Sequence, residues 1–387
     1  MRRMIIIADN NIPYAAEAFG RFGEVRLVNG RSLTAEAVKD AGILLVRSTV
    51  KVDEKLLGGA NPRFVGTATI GTDHVDQAYL ASRGIVFASA PGSNAESVGE
   101  YWSAAVLFLA RRLGVELAGR TAGVVGVGNV GRRVVRRAKA LGMNVVKCDP
   151  PLARETKSDE YRPLEELLER ADLVTVHVPL EKGGADPTWH MADERFFARM
   201  KPGAIFFNLA RGPVNDSAAL AAAIDSRKLA ATVLDTWEGE PVVDPKLVAR
   251  ADIATPHIAG HSFDGKVNGT QMLYAAVCKL LGEPETWKPA DSLPAPEVPR
   301  VAVEAAGRSV EDVCSEAVGA LYDITADDAR FRATMAHPEA ERGRLFNDLR
   351  VKYPPRRAFG YTAVVLKGGS NAQKQALSGL GFRVSAL

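Results

Sequence analysis

Three polar side chains each stand just beyond a short apolar run in the middle of the chain. They are Arg211 in Asn208-Leu-Ala-Arg211-Gly, Glu240 in Leu234-Asp235-Thr-Trp-Glu-Gly-Glu240-Pro, and His257 in Thr255-Pro-His257-Ile-Ala-Gly260. Such runs read as buried strands, and strand-end loops are where α/β sheets gather reactive groups. A guanidinium grips a carboxylate through two parallel hydrogen bonds. An imidazole takes the proton of a hydroxyl, and a carboxylate on its far nitrogen fixes the tautomer and favours the protonated ring as it forms. Together these groups suit hydride transfer between a 2-hydroxy acid and a nicotinamide cofactor. Arg211 would hold the substrate carboxylate, His257 would act as acid and base, and Glu240 would stand behind it. Taken singly they have ordinary readings as surface charge, turn and structural histidine, so the inference rests on their succession along neighbouring strand ends.

The cofactor half of that chemistry has its own signature. An apolar run beginning at Thr121 turns through Gly126-Val-Gly128-Asn129-Val130-Gly131 into a helix-forming tract that ends near Leu141. A second apolar run, Asn144-Val-Val-Lys-Cys148, stops at Asp149. Strand, G-x-G-x-x-G, helix, strand and acid follow in the order of a dinucleotide-binding βαβ unit. Gly126 permits the tight turn, Gly128 lets the backbone approach a pyrophosphate, and Gly131 lets the helix pack closely on the strand. The helix start supplies unpaired N–H groups to the phosphates. Asp149 is placed to accept bonds from both ribose hydroxyls and would repel a 2′-phosphate, which favours NAD over NADP.

The elements needed to carry these loops follow from the rest of the chain, whose 387 residues allow two or three domains. Strands are expected at 4–8, 24–28, 43–46, 64–67 and 86–88, with helices at 13–22 and 34–41, giving a first α/β lobe over residues 1–94. Arg47, Ser48 and Thr69 fall at its strand ends, beside a small polar ligand. A mostly apolar helix over 94–113 leads into a complete doubly wound domain, 95–268. A helix over 269–282 is expected to return to the first lobe, which would close at 290. The proline-rich stretch 283–299 reads as a linker or surface strap. Beyond it, helices at 309–322, 326–335 and 338–351 precede a strand at 361–366, a helix at 372–378 and a strand at 382–384. The expected class is α/β, with two doubly wound parallel-sheet lobes, the second a Rossmann NAD-binding domain, plus a helix-first α+β domain over 291–387.

Composition narrows the partners. Charged residues make up 25% and the net charge is +3, which offers neither a nucleic-acid stripe nor an acidic tail. Cys148, Cys278 and Cys314 lie far apart and fit neither a disulfide framework nor a zinc site. No metal is therefore expected, and a reducing cytoplasm is the expected compartment. His74, His177, His190 and His337 have no second ligand at metal spacing and read as structural or surface residues. The opening Met1-Arg-Arg-Met-Ile-Ile-Ile-Ala imitates a leader until Asp9, Asn10 and Asn11 end the run. No stretch approaches the roughly 20 apolar residues that span a bilayer.

With those residues in place, the chain resembles the D-isomer-specific 2-hydroxyacid dehydrogenase family, which pairs G-x-G-x-x-G with this arginine, glutamate and histidine. The likeness covers nearly the whole chain. It is carried further by Phe64-Val-Gly-Thr-Ala-Thr-Ile-Gly-Thr-Asp-His-Val-Asp, Ala90-Pro-Gly-Ser-Asn-Ala and Thr255-Pro-His-Ile-Ala-Gly-His-Ser-Phe-Asp-Gly-Lys. In the tail it is carried by Phe346-Asn-Asp-Leu-Arg-Val-Lys-Tyr-Pro-Pro-Arg-Arg-Ala-Phe. The resemblance implies NAD as cofactor and a small, phosphorylated 2-hydroxy acid as substrate. It implies Arg211, Glu240 and His257 as catalytic residues, and Ser48, Thr69 and His261 at the substrate. For NAD it implies Asp149, Val178, Asp235, Gly260 and the backbone of Leu209, Ala210 and Arg211, beside the glycine loop. It also implies a homodimer built partly through the C-terminal domain, to which the apolar faces of the tail helices would contribute.

Three positions depart from the family pattern. Tyrosine is usual where His261 stands, His-Thr-Pro where His177-Val178-Pro179 stands, and cysteine where Ser93 stands. His261 keeps a donor near the substrate, so altered affinity is expected rather than lost activity. A substrate phosphate needs arginine, lysine or clustered N–H donors. Arg47 with Ser48 is the expected grip; Lys266 and Arg356-Arg357 from a partner chain are further candidates. Two rivals stay open. One is another 2-hydroxyacid dehydrogenase, such as a phosphoglycerate enzyme, which often carries a βαββαβ regulatory domain that a helix-first tail does not resemble. The other is a non-catalytic NAD-sensing protein of the same fold, which turnover would separate.

Overall fold

The computed structural model describes residues 4–289 and 293–386. The first three residues of the leader-like stretch and the expected lobe–tail boundary at 290–291 lie outside the described residues. The chain forms two compact units, residues 1–94 with 262–295, and residues 95–261 with 296–387.

In the first unit, β1 (Ile5–Asp9), β2 (Glu24–Val28), β3 (Ile43–Val46), β4 (Phe64–Thr67) and β5 (Val86–Ala88) form one sheet. Its order is β2-β1-β3-β4-β5, and every neighbour pair is parallel. β3 and β4 are buried at every residue, as strands covered by helices on both faces must be. The helix Phe263–Leu281 packs Leu273, Tyr274 and Val277 against Ile6, Phe19 and Phe64. It begins at Phe263 rather than at 269, because the Ser262 hydroxyl accepts the Gly265 N–H at 2.9 Å and caps it. Gly265, Asn268 and Gly269 are poor helix formers and hide those first turns from a propensity reading.

The second unit contains β6 (Thr121–Val125), β7 (Asn144–Cys148), β8 (Leu173–Val176), β9 (Ala204–Asn208), β10 (Leu229–Leu234) and β11 (Ile253–Ala254). Their order is β11-β10-β9-β8-β6-β7, again parallel throughout. Strand order reverses between β6 and β8, so a ligand crevice is expected beyond the carboxyl ends of those two strands. A third sheet, β12-β13-β14, is built from Arg300–Glu304, Ala363–Lys367 and Arg383–Ala386, all parallel. β12 corrects the expected helix-first tail: a strand follows directly on the proline-rich stretch 283–299. Three helices then lead to β13, and one more to β14, which is still not a βαββαβ order.

The tail helices bury their apolar faces inside their own unit. Val313, Cys314, Ala317 and Val318 from the helix Val310–Gly319 share a cluster with Tyr101 and Ala105 of the helix Ala95–Leu113 and with Val134 and Ala138 of the helix Asn129–Ala140. Phe331 and Phe346 join the cluster of Trp237 and Leu247. Each such valine or phenylalanine contributes about 1.5–3 kcal/mol of burial. Those faces are therefore already covered and are not what a partner chain would meet. All three cysteines are buried and free, and among the described residues no helix is long and apolar enough to cross a membrane.

Candidate active site

The loops after β9, β10 and β11 are held together by backbone and amide bonds before any catalytic side chain is considered. Asn208, at the end of β9, is fully buried. Its Oδ1 accepts from Ala210 N at 3.0 Å and Thr236 Oγ1 at 3.1 Å. Its Nδ2 donates to the Arg211 carbonyl at 2.9 Å and to Asn215 Oδ1 at 2.7 Å. The next loop lies so close that a Cβ on Gly212 would overlap the backbone of Trp237 and Glu238, so only glycine lets the Arg211 and Glu240 loops meet. Asp235 fixes the third loop. Its carboxylate accepts from Thr255 Oγ1 at 2.6 Å, Ile258 N at 2.7 Å and Ala259 N at 2.9 Å, and its carbonyl accepts from His257 N at 2.7 Å. Tyr101 adds a bond to Thr255 Oγ1 at 2.7 Å. These bonds hold His257 at φ 57°, a left-handed conformation that costs a non-glycine residue about 1 kcal/mol or more.

On that frame His257 Nδ1 lies 2.8 Å from Glu240 Oε2, while Glu240 Oε1 accepts from Trp237 N at 2.9 Å. Burial alone would raise the Glu240 carboxyl. The His257 ring, the Trp237 N–H and the nearby Arg350 charge outweigh it and hold the group below its ordinary range. An ionised Glu240 puts the imidazole hydrogen on Nδ1 and leaves Nε2 as the proton acceptor. Asp235, enclosed at 1% exposure, goes the other way, with burial raising its carboxyl. Arg211 is half-buried, and its Nη1 donates to the Ala210 carbonyl at 2.9 Å. Leu209 and Ala210 are 7% exposed, and Gly260 and His261 are half-buried, with the His261 ring 5.9 Å from that of Tyr353.

The glycine loop fits a dinucleotide on its own geometry. Gly126 has φ +83°, and a Cβ there would come within 2.7 Å of the His177 carbonyl oxygen beyond β8 and 2.9 Å of the Val178 side chain. A Cβ on Gly131 would overlap the Gly126 carbonyl oxygen. Gly128 differs, because beyond its chain neighbours no atom of the described residues lies within 4 Å of its Cβ position. That open side leaves the Gly128 backbone accessible, as a backbone that must approach a pyrophosphate has to be. Asn129 is exposed and Val130 half-buried at the following helix start. Asp149 accepts Val127 N at 2.7 Å on one oxygen and Leu152 N at 3.0 Å on the other, and each oxygen keeps acceptor capacity for a ribose. Arg154 is drawn to Asp186. The residues present fit NAD.

In the first unit, Arg47 and Ser48 follow β3, and Ser48 is exposed. Thr69 Oγ1 lies 2.7 Å from Thr67 Oγ1 and donates to the Gly71 carbonyl at 3.2 Å. Lys266 is half-buried. Burial first, and the Arg47 charge second, push its ammonium down to about 8. The two neighbouring cations make this a place where an anion would be favoured.

Other expectations change. Arg356 is 8% exposed and donates to the carbonyls of Ser97 and Ala259, each at 3.1 Å, so it is not on offer to a partner chain's phosphate. Arg357 lies over the Tyr361 ring at 4.2 Å. His177 is buried deeply enough to be pushed down to about 3 and bonds Thr175 Oγ1 at 2.9 Å. His74 bonds Thr67 at 3.0 Å, and His337 is exposed. The pair His190–Glu238, at 2.7 Å, was not foreseen; it ties the loop before Glu240 to the start of the helix Ser217–Asp225 through Ser217 N. Nor were the roles of Asn208 and Thr255, whose only sequence signal is their place at strand ends.

Residues 95–259 match the family model described as D-isomer specific 2-hydroxyacid dehydrogenase, NAD binding domain, and residues 292–381 match a domain of unknown function. The erythronate-4-phosphate dehydrogenase of Pseudomonas entomophila is 44% identical over 381 residues, 98% of either chain. That of Salinibacter ruber is 47% identical over 367 residues, 92% of this chain and 93% of the relative. Among solved structures, the D-lactate dehydrogenase of Aquifex aeolicus, complexed with NAD and lactic acid, has 26% identity and a TM-score of 0.61. It covers 72% of this chain and 96% of its own. The NAD-bound 3-phosphoglycerate dehydrogenase of Entamoeba histolytica, at 23% identity and a TM-score of 0.62 over 72% of this chain and 96% of its own, shows the same fold. The chain belongs to the D-isomer-specific 2-hydroxyacid dehydrogenase family and is an NAD-dependent oxidoreductase. Within that family it is similar from end to end to erythronate-4-phosphate dehydrogenases.

Proposed function

We propose that the protein oxidises 4-phospho-D-erythronate to 2-oxo-3-hydroxy-4-phosphobutanoate with NAD, a step toward pyridoxal 5′-phosphate. The observation that carries this reading is the His257–Glu240 pair, beside Arg211, in a chain similar along its length to enzymes of that name. Arg211 holds the C1 carboxylate and sets the orientation of C2. His257 Nε2 takes the C2 hydroxyl proton, and Glu240 stabilises the imidazolium so formed. NAD held there would supply the hydride acceptor for C2, so that two electrons and one hydrogen would leave with the cofactor and one proton with His257. Gly126, Gly128, Asn129, Val130, Gly131, Asp149, Val178, Leu209, Ala210, Asp235 and Gly260 hold the cofactor. Asp235, whose carboxylate is already used inside the chain, does so chiefly by shaping the loop. Ser48, Thr69 and His261 contact the substrate, and Arg47 with Lys266 takes its phosphate.

The protein works as a homodimer in the cytoplasm, with residues 291–387 at the dimer contact; the family resemblance and exposed Val351 and Tyr361 support that contact. The testing experiment is a turnover assay with NAD and 4-phosphoerythronate, 3-phosphoglycerate or D-lactate, run with and without a 2-oxo acid acceptor. Preference for 4-phosphoerythronate, abolished in His257→Ala, is expected. Preference for 3-phosphoglycerate would replace the substrate assigned here, and bound NAD without turnover on any acid would favour a sensor.

A further inference from the structure

The tail stretch 346–359 carries a sequence signature that the reaction as described does not use. The structure lays it and the helix Ile324–Thr334 against the loop that bears His257. Asp328 Oδ1 accepts the N–H of Ala254, the last residue of β11, at 2.7 Å. Phe331 packs on Trp237 at 5.6 Å, and Trp237 Nε1 donates to the Thr255 carbonyl at 2.8 Å. Tyr353 lies beside His261, and its hydroxyl donates to Asp327 Oδ2 at 2.7 Å. Arg356 completes the set by donating to the Ala259 carbonyl, two residues past His257.

Arg356 is an odd choice for stability alone. Its guanidinium is buried against the Tyr322 ring at 4.3 Å, and Nε and Nη1 have no partner among the described residues. Its charge is answered by the buried Glu100 carboxylate, and a buried ion pair of that kind, with two donors still unmet, adds little over apolar packing of the same volume. What it supplies is a fixed bridge from the Ala259 carbonyl to the Ser97 carbonyl, near the start of the helix Ala95–Leu113.

We infer that the C-terminal segment 323–359 positions the catalytic histidine loop of its own chain, with Arg356 as the chief positioning residue. The domain of unknown function thereby acquires a task in catalysis that is separate from any dimer contact. Its contacts fall on the His257 loop and not on the glycine loop, so the chemical step suffers more than cofactor capture, which this loop touches only through Asp235 and Gly260. Arg350 works toward the same end, since its charge helps keep Glu240 ionised.

The inference rests on the assignment of His257 and Glu240 as the acid–base pair, and the test separates the two. Full-length Arg356→Met and Arg356→Lys are compared with wild type for kcat, KM, NAD dissociation constant and sedimentation. Each is then combined with His257→Gln. A misplacement of the ring by about 1 Å lowers kcat by tenfold to a hundredfold. The expected result is that loss in Arg356→Met, with NAD affinity changed far less than kcat and sedimentation unchanged, partial rescue by lysine, and no further loss of the residual rate when His257 is already glutamine. Asp328→Ala, which removes a different strut of the same brace, should show a kcat loss of the same kind; it carries the comparison if the methionine variant proves too unstable to purify. Normal kcat in the folded variants, equal losses in NAD affinity, or full additivity with His257→Gln would overturn the inference. A His257→Gln enzyme with wild-type turnover would instead overturn the acid–base assignment.

Discussion

Replacing Glu240 by glutamine sets two hydrogen bonds against each other. Glu240 Oε1 accepts the Trp237 N–H, and Oε2 faces His257 Nδ1. Glutamine has one oxygen and one NH2. If the oxygen stays on Trp237, the NH2 forces Nδ1 to accept, the ring hydrogen moves to Nε2, and Nε2 no longer takes the substrate proton. If the amide turns round, two donors face each other and the Trp237 N–H is left unmet, at about 1–3 kcal/mol. In either case the imidazolium loses a charge-assisted bond worth about 1.5–3 kcal/mol. The sum, about 2.5–6 kcal/mol, lowers kcat by about 10²–10⁴. Alanine removes the charge without dictating the tautomer, and the site, with the Glu240 side chain 22% exposed, is open enough for water to serve both donors. Glu240→Ala should therefore be faster than Glu240→Gln. The assay is initial-rate NADH formation at saturating NAD and 4-phosphoerythronate, with a 2-oxo acid acceptor present. A glutamine variant within tenfold of wild type, or an alanine variant as slow as the glutamine one, would refute this account of the pair.

Gly128→Ala should weaken NAD binding at least tenfold while costing little thermal stability, whereas Gly131→Ala, whose Cβ would overlap the Gly126 carbonyl, should lower Tm sharply; calorimetry and NAD titration separate the two. Arg211→Lys keeps the charge but loses the paired fork, so kcat/KM should fall by about 10² or more in steady-state assays without loss of NAD affinity. A phosphate beside Lys266 favours the charged ammonium, which is held down to about 8 in the free protein. Binding then takes up a proton above that pH. The KM for 4-phosphoerythronate should climb with pH through and above about 8, at a slope approaching tenfold per unit, and the climb should flatten in Lys266→Gln.

The glycine loop and its trailing acid were legible because each demands particular residue types at fixed spacing, and the strand ends bearing Arg211, Glu240 and His257 because fully buried parallel strands write plain apolar runs. β12 was not legible: Arg-Val-Ala-Val-Glu is half exposed, follows a proline-rich stretch and lies at a sheet edge, where burial imposes little pattern. The first turns of the helix Phe263–Leu281 were hidden by glycines that a propensity reading treats as breaks. Arg356 was beyond reach for a different reason. Two adjacent arginines read as a solvated turn unless the folded chain shows which one is enclosed, and tertiary contacts far apart in sequence decide that. The apolar faces of the tail helices are legible as faces, but what covers them is not, since the sequence does not say that Tyr101 and Trp237 lie beneath them.

Asp149 carries a lesson for anyone wishing to re-engineer the enzyme toward NADP. Its carboxylate binds Val127 N on the turn between the first two glycines and caps the helix Pro150–Thr156 through Leu152 N. Substituting glycine or alanine to admit a 2′-phosphate would unfasten the turn along with the charge, and a screen scored on NADP activity would mistake a loosened loop for a failed pocket. Asparagine or serine keeps an acceptor in place of the charge, so a redesign should start there and add its cation afterwards, with Arg154 released from Asp186 as the nearest candidate in sequence.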